Sequence, residues 1–240
     1  GVYELQYDGA VNVRWFGAGD VSVVADSTTA IQSAINFGKY VYIPNSTYII
    51  SNLTFLSGSG IYGESRALTI LLSNTISTLP AISDKGTNLV FKHFTLQSAN
   101  NEVGYGFAPY SSSTWGGNDS SVYEDLKISG FEFGMREQRT VFNKYIDMHF
   151  RQNKYSMAFT QNTGTPPFVW NNTGANGWFN NNLYFSNILL DGNDTGYCAK
   201  IIGDNITIDG IQCSNYLGYG LILGDSNYNT LGNYIINNFY

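Results

Sequence analysis

The chain has 240 residues, of which 43% are hydrophobic and only 12% are charged, so it can bury a large core. Its net charge of −6 argues against nucleic acid as a partner, because phosphate binding requires clustered Lys and Arg. No apolar run approaches the roughly 18 residues that a bilayer span needs, and residues 1–10 lack the basic and apolar regions of a signal peptide. We therefore expect no membrane insertion.

The first predicted element is a helix near Thr28–Asn36, which Asp26 or Ser27 can cap. It is the only convincing helix in the sequence. We expect residues 1–38 to form a lead-in and this helix, which would cover the open N-terminal end of the strands that follow. The predicted apolar face of the helix consists of Ala30, Ile31, Ala34 and Ile35.

From residue 39 the pattern changes to short strands, in which apolar and polar residues alternate. The apolar residues of the first strands are Val41, Ile43, Tyr48, Ile50, Leu53, Phe55, Ile61, Leu68, Ile70 and Leu72.

A signature of the form apolar-x-x-apolar-x-apolar then recurs along the chain. Its steps are 32, 22, 40, 23 and 23 residues, and the two long steps contain insertions near Ala99–Ser120 and Gln161–Trp178. A fixed period with insertions at particular corners is typical of a solenoid. We therefore predict a parallel β-helix over residues 39–240, with each repeat forming one turn, or rung. Because Tyr240 directly follows a rung, we expect the natural polypeptide to continue. The signatures are Phe91/Phe94/Leu96, Tyr123/Leu126/Ile128, Tyr145/Met148/Phe150, Phe185/Ile188/Leu190, Ile208/Ile211/Cys213 and Leu231/Tyr234/Ile236.

The cysteines and histidines suggest no special chemistry. Cys198 and Cys213 cannot define a disulfide framework in a chain of this length, and Cys213 is predicted to be a small buried hydrophobic residue. His93 and His149 lack companions at metal-ligand spacing. We expect neither a metal nor a cofactor.

Stacking of equivalent positions in successive rungs, at about 4.8 Å, places one set of charged residues together. We call the first apolar residue of each signature its anchor. Glu132, Lys154 and Asp194 each lie nine residues after an anchor. Glu132 and Asp194 would be two rungs apart, at roughly the carboxyl separation of an inverting glycosidase. Arg151 would stack beside Asp191 and could bind substrate with Lys154. The alternative is an ion-pair ladder on a solvated face.

A second column contains His93, Asp125, Asp147, Asn187 and Asn233. Asp125 and Asp147 would lie about 5 Å apart, which is the separation in retaining glycosidases. They are the second candidate catalytic pair. The alternative is a ladder of Asp and Asn at a corner that satisfies backbone N–H groups.

The insertions carry tryptophans that could stack on sugar rings, namely Trp115 in the first and Trp170 and Trp178 in the second. Aromatic residues on a polar surface of low charge fit carbohydrate better than protein or nucleic acid. The alternative is packing of the insertions onto the β-helix.

Taken together, several segments resemble the opening of pectate-lyase-like right-handed β-helices, and most of all those of bacteriophage tailspikes. These proteins usually carry a run of the form Gly-Asp-Gly-x-x-Asp-Asp, which residues 19–26 of this chain retain only in part. The resemblance implies a homotrimer on the virion tail that binds, and often cleaves, a bacterial surface polysaccharide, with other tail proteins contacted through regions outside this chain. The segments are Trp15–Ala18, Asp26–Asn36, Gly38–Pro44, Tyr48–Ile50 and Gly60–Glu64.

Two other functions are compatible with the same opening. One is a structural or adhesive spike that never cleaves. The other is a secreted bacterial polysaccharide lyase, which needs a base near the sugar C5 and a group that neutralises a uronate carboxylate. Arg136, Arg139 and Arg151 could serve, and Arg139 and Lys144 are the residues to test.

Overall fold

Short parallel strands form almost all of the structure. The computed structural model describes residues 9–75, 79–111, 114–115, 117–138, 140–160, 180–192, 198–215, 220–223 and 233–239. Within these ranges the helices are a 3-10 helix at Val13–Phe16 and the α-helix α1 at Thr28–Gly38.

The helix α1 begins and packs largely as predicted. The backbone N–H of Thr28 donates to Asp26 Oδ1 at 2.7 Å. Ile31, Ala34 and Ile35 are buried in the same core cluster as the first strands, and Ala30 packs against that cluster. The predicted N-terminal capping helix is therefore confirmed.

The strands stack into three parallel sheets, as expected for a β-helix. Sheet A has twelve strands: β1 (Val11–Asn12), β2 (Tyr40–Ile43), β3 (Ser46–Ile50), β5 (Gly60–Gly63), β6 (Thr69–Ser73), β9 (Val90–Ser98), β14 (Val122–Ser129), β17 (Lys144–Ile146), β18 (His149–Asn153), β21 (Tyr184–Gly192), β24 (Ile206–Ser214) and β26 (Tyr234–Phe239).

Sheets B and C complete each rung. Sheet B consists of β4 (Leu53–Thr54), β7 (Pro80–Ser83), β10 (Tyr105–Ala108), β15 (Phe133–Gln138), β19 (Tyr155–Thr160), β22 (Ala199–Ile201) and β25 (Leu221–Leu223). Sheet C consists of β8 (Gly86–Thr87), β13 (Asn118–Asp119), β16 (Thr140–Val141), β20 (Asn180–Asn181) and β23 (Gly203–Asp204). A separate antiparallel pair is formed by β11 (Tyr110–Ser111) and β12 (Thr114–Trp115).

The pairing register confirms the predicted repeat for the first five rungs. Tyr123 pairs with both Phe91 and Tyr145, and Phe185 pairs with both Tyr145 and Ile208. The rings of Phe91, Tyr123, Tyr145 and Phe185 stack at centroid distances of 5.3, 4.9 and 4.8 Å. The predicted column of Phe94, Leu126, Met148, Ile188 and Ile211 is buried throughout.

The last predicted rung was wrong. Ile208 pairs with Ile236, so Ile236 occupies the anchor position that the sequence pattern gave to Leu231. The step is therefore 28 residues, because this turn is longer than the one before it.

The inward face of β6 also differs from the prediction by one residue. Thr69, Leu71 and Ser73 are buried, whereas Leu68 is 60% exposed. Thr69 explains the shift, because its hydroxyl accepts hydrogen bonds from the backbone N–H groups of Glu64 and Ser65 and thereby closes the preceding turn.

The two cysteines form a disulfide, contrary to the prediction that Cys213 is a free buried residue. Cys198 immediately precedes β22 in sheet B and Cys213 lies in β24 in sheet A, with their Cα atoms 6.1 Å apart. The bond therefore joins β24 to the segment just before β22 on the preceding rung.

A polar cluster interrupts the apolar interior. Asp84 and Glu137 are both completely buried, and the Tyr123 hydroxyl donates to Asp84 Oδ2. Asn118 Nδ2 donates to the same oxygen at 3.2 Å. Burial raises the pKa of Asp84 to about 6, although hydrogen bonds from Glu137, Tyr123 and Asn118 act to lower it. Burial also raises the pKa of Glu137 well above its usual range, and the negative charge of Asp84 raises it further.

Candidate functional site

One corner of the β-helix is formed in each rung by a single residue with left-handed backbone geometry. The values of φ lie between 52° and 81°, a region that Asp, Asn and Gly tolerate well. The flanking residues pair from rung to rung, as in Glu124 with Lys92 and Leu126 with Phe94. This first corner column consists of His93, Asp125, Asp147, Asn187 and Gly210.

His93, Asp125, Asp147 and Asn187 were predicted to form this column, and the structure places them there. The fifth predicted member, Asn233, is not part of it. Asn233 was expected to continue the column, but Asp209 pairs with Asn237 and Ile211 pairs with Phe239. Asn238, with φ of 53°, therefore occupies the corner position of the last rung. The cause is the longer last step.

Asp125 is held by two donors at the centre of the column. Its Oδ1 lies 2.9 Å from Arg66 Nη1, and its Oδ2 lies 2.9 Å from His93 Nδ1. Arg66 belongs to the segment between β5 and β6, and the Thr95 hydroxyl fixes that segment by donating to the Arg66 carbonyl at 2.7 Å. Both contacts fix the orientation of the Asp125 side chain.

Arg66 also joins two rungs. Its Nη1 donates to the Asp147 carbonyl oxygen at 3.3 Å, while Asp147 Oδ1 accepts from Asn187 Nδ2 at 2.6 Å. Asp125 and Asp147 therefore occupy the same position on adjacent rungs, and Arg66 contacts both residues. Rung spacing of about 4.8 Å predicts a carboxyl separation like that of retaining glycosidases, and the catalytic role of the pair stays a prediction.

A pocket of about 280 Å³ opens beside these carboxyl groups. This volume is close to the lower end of the range for small-molecule sites. Charged, amide, imidazole and apolar side chains all contribute to its walls. We call it the Arg66 pocket, and its lining residues are Arg66, Asp125, Asp147, Met148, His149, Asn187 and Leu189.

His149 supplies a neutral imidazole to this pocket. Burial lowers the pKa of His149, and the positive charges of Lys127 and Arg66 lower it further. Its Nε2 atom is buried and has no hydrogen-bond partner within the part of the chain that the structure describes. The sequence pattern does not predict Arg66 or His149 as site residues. The column count contained no signal for Arg66, which reaches the corner from outside the column.

The first candidate pair is tested only in part. Lys154 Nζ lies 3.7 Å from Glu132 Oε1, and Arg151 Nε lies 3.9 Å from Asp191 Oδ2. Both pairs stack between adjacent rungs as predicted, and all four side chains are partly exposed. Asp194 lies outside the described residues, so its role as a catalytic partner of Glu132 stays a prediction.

The alignment behind that prediction does not continue beyond Asp191. The register between β18 and β21 shifts between Arg151 and Asn153, so that Asn153 pairs with Gly192. Gln152 takes up the extra residue with φ of 54°. Beyond this shift, residues at equal distances from the anchors Tyr145 and Phe185 no longer pair with each other.

The other predicted binding residues are mostly untested. Trp170, Trp178 and the lyase candidate Arg139 lie outside the described residues. Trp115 belongs to β12 and pairs with Tyr110, and Lys144 is exposed at the start of β17. Arg136 is only 1% exposed, and its guanidinium lies 5.5 Å from the centre of the Tyr105 ring, so it cannot reach a glycan at the surface.

The described ranges contain no cluster of three or more His, Cys, Asp or Glu side chains that could hold a metal ion. Within the same ranges, no helix is long and apolar enough to cross a membrane.

Comparison with known proteins gives structural matches only. No family model and no curated protein matches the sequence. The catalytic domain of Agl-KA superimposes on 98% of this chain with a TM-score of 0.58 and 15% identity. The catalytic unit of a GH87 alpha-1,3-glucanase from Streptomyces thermodiastaticus strain HF3-3 covers 96% with a TM-score of 0.53 and 16% identity. ORF18 of Geobacillus virus E2 covers 96% with a TM-score of 0.50 and 19% identity.

These likenesses establish the fold and not the activity. The chain spans 46%, 45% and 59% of the three matched structures, respectively. The parallel β-helix that the sequence pattern predicts is thus shared with a viral protein and with two catalytic units.

Proposed function

We propose that this chain is part of a phage tailspike that binds a bacterial surface polysaccharide and hydrolyses it in the Arg66 pocket. The observation that carries the proposal is the pair of carboxyl groups on adjacent rungs, Asp125 and Asp147, beside a pocket at the surface of a β-helix. The viral and glucanase neighbours support this context at the level of fold.

The two carboxyl groups have different surroundings, which suits them to different roles. Asp125 is held in place by Arg66 and His93, and we assign it the role of nucleophile at the anomeric carbon. Asp147 contacts the Asn187 amide, and we assign it the role of the acid and base that exchanges a proton with the leaving oxygen. His149 and Asn187 can bind sugar hydroxyls.

The wider assembly follows from the resemblance and is also part of the proposal. We expect the full-length protein to form a homotrimer on the virion tail and to contact other tail proteins through regions outside this chain. Light scattering of the full-length protein tests the trimer, and a stable monomer would contradict it.

The decisive experiment measures both cleavage and stereochemistry. The protein is incubated with a panel of bacterial capsular polysaccharides and O-antigens, and new reducing ends are counted. For a substrate that is cleaved, NMR follows the first anomer released. Asp125 and Asp147 predict retention of configuration, whereas Glu132 with Asp194 predicts inversion. Unsaturated products would instead indicate the lyase alternative.

Substitution then assigns the residues. Asp125→Asn and Asp147→Asn should each lower kcat about 10²–10⁴-fold with unchanged melting temperature. Glu124→Gln is the matched control, because Glu124 is an adjacent, partly exposed carboxylate that pairs with Lys92 at 2.6 Å outside the pocket. If both Asp variants retain wild-type turnover, the assignment is wrong. Binding without cleavage by the wild type would favour the adhesive spike.

A further inference from the structure

A second corner column runs parallel to the first. Its members also have left-handed backbone geometry, with φ between 51° and 59°. Four of them are Asn or Ser, residues for which this conformation costs little. The fifth is a phenylalanine. The column consists of Asn88, Ser120, Phe142, Asn182 and Asn205.

The surrounding structure imposes this conformation on Phe142. Its backbone N–H donates to the Asn181 carbonyl of the next rung at 3.0 Å, just as the Ser120 N–H donates to Val141 at 2.8 Å. The following residue, Asn143, is buried and accepts from the Ser121 N–H at 2.8 Å. The corner is thus held by the backbone and by Asn143, and the Phe142 side chain is not required for it.

The Phe142 side chain is unfavourable at this position for two reasons. A bulky residue with positive φ is strained relative to Asn at the same position. The side chain is also 58% exposed, so the ring contributes little to the core. Strain at an exposed residue is a reason to look for a function of the side chain.

Phe142 and the proposed catalytic residue Asp147 lie at the two ends of one strand. The strand β17 (Lys144–Ile146) connects Phe142 to Asp147, so the two corners are about 16 Å apart at about 3.3 Å per residue. A polysaccharide seated in the Arg66 pocket and lying along this rung would pass over β17 and reach the exposed ring.

We propose that Phe142 is a stacking platform for a sugar ring of the bound polysaccharide, outside the Arg66 pocket. The inference depends on the proposed function for its ligand. An aromatic face packs against the apolar C–H face of a hexose, and at a solvated site this contact adds affinity without contacting the scissile bond.

The test uses Phe142→Asn, which gives this corner the residue found in most of its column. Phe142→Trp retains an aromatic face. Both are made in the Asp125→Asn background, and Kd is measured with immobilised capsular polysaccharides and O-antigens that the wild type binds. We expect Phe142→Asn to weaken binding about fivefold to tenfold, with an unchanged or higher melting temperature, and Phe142→Trp to retain affinity.

The outcomes separate the two proposals. With an intact Asp125, Phe142→Asn should raise KM for long chains and leave kcat unchanged, whereas the pocket variants lower kcat. Equal affinity of Phe142→Asn and the parent overturns the stacking platform alone. Loss of the oligomer in light scattering also overturns it, because Phe142 would then contact a second copy. Absence of any polysaccharide binding by the wild type overturns both proposals.

Discussion

The buried carboxyl pair, Asp84 and Glu137, makes the stability of the β-helix depend on pH. Both side chains are completely buried, and burial is the main cause of their raised pKa values. A carboxyl group with a raised pKa in the folded state keeps its proton at pH values where the unfolded chain has already released it. The contribution of these two groups to stability is therefore greatest below their unfolded-state pKa values and falls as the pH rises.

The size of this effect follows from the number of retained protons. Each proton that only the folded state retains lowers the free energy of unfolding by about 1.4 kcal/mol for every unit of rising pH. This loss begins at the pKa of the group in the unfolded state and ends at its pKa in the folded state. For Asp84 this window runs from 3.8 to about 6, which corresponds to about 3 kcal/mol. Glu137 extends the loss to higher pH.

Glu137→Gln should remove the part of this dependence that Glu137 contributes, because the glutamine has no proton to retain. The part that Asp84 contributes should remain, since burial of Asp84 is its main cause. Between about pH 4 and about pH 8 the variant should therefore lose less stability than the wild type, and its remaining loss should be about 3 kcal/mol, or about 6–12 °C in melting temperature for a chain of this size.

The assay is thermal unfolding followed by circular dichroism at constant ionic strength over this pH range. Glu124→Gln is the control, since it removes an exposed carboxylate and should leave the pH dependence unchanged. Tyr123→Phe should act in the opposite direction, because Asp84 loses its hydroxyl donor, while Phe91 shows that phenylalanine fits the column. Parallel curves for wild type and Glu137→Gln would refute the reasoning.

Three further predictions concern stability. Reducing the Cys198–Cys213 disulfide, which closes a loop of 15 residues, should lower the melting temperature by about 6–12 °C, from about 3 kcal/mol of lost stability; a Cys198→Ser/Cys213→Ser variant should melt at the same temperature with and without reductant. Gly60→Ala should prevent folding, measured as soluble yield, because its Cβ would lie 1.9 Å from the Val90 carbonyl oxygen. Phe94→Ala should cost about 3–5 kcal/mol in denaturant unfolding, and a loss below about 1 kcal/mol would show that the column does not carry the core.

The repeat could be predicted from the sequence because stacking imposes the same requirement on every rung. An inward position must be apolar in each turn, so Phe91, Tyr123, Tyr145 and Phe185 reveal their column without any structure. The prediction failed at Ile236 because the last turn is longer, and Leu231 happened to continue the period. Spacing misidentifies a rung where a longer turn contains an apolar pattern at the regular period.

The same logic explains which contacts of the site were found. The pairs Glu132–Lys154 and Arg151–Asp191 join adjacent rungs, and column counting detects contacts of that kind. It cannot detect contacts between different positions of the repeat, such as the Cys198–Cys213 disulfide. It also cannot detect Arg66, which lies in a turn and not in the column that it contacts.

Arg66 is the residue that makes part of the first corner column a candidate functional site. A column of Asp and Asn at a left-handed corner is explained by backbone preference alone, so Asp125 and Asp147 carried no functional signal beyond their spacing. Arg66 adds a cation that contacts the Asp125 carboxylate and the Asp147 carbonyl together. Its own carbonyl is anchored by Thr95, a residue of β9. The left-handed corner forms without the Arg66 contact, so different residues shape the corner and the pocket. A substitution at Arg66 should therefore alter the pocket while leaving the stacking of the rungs intact.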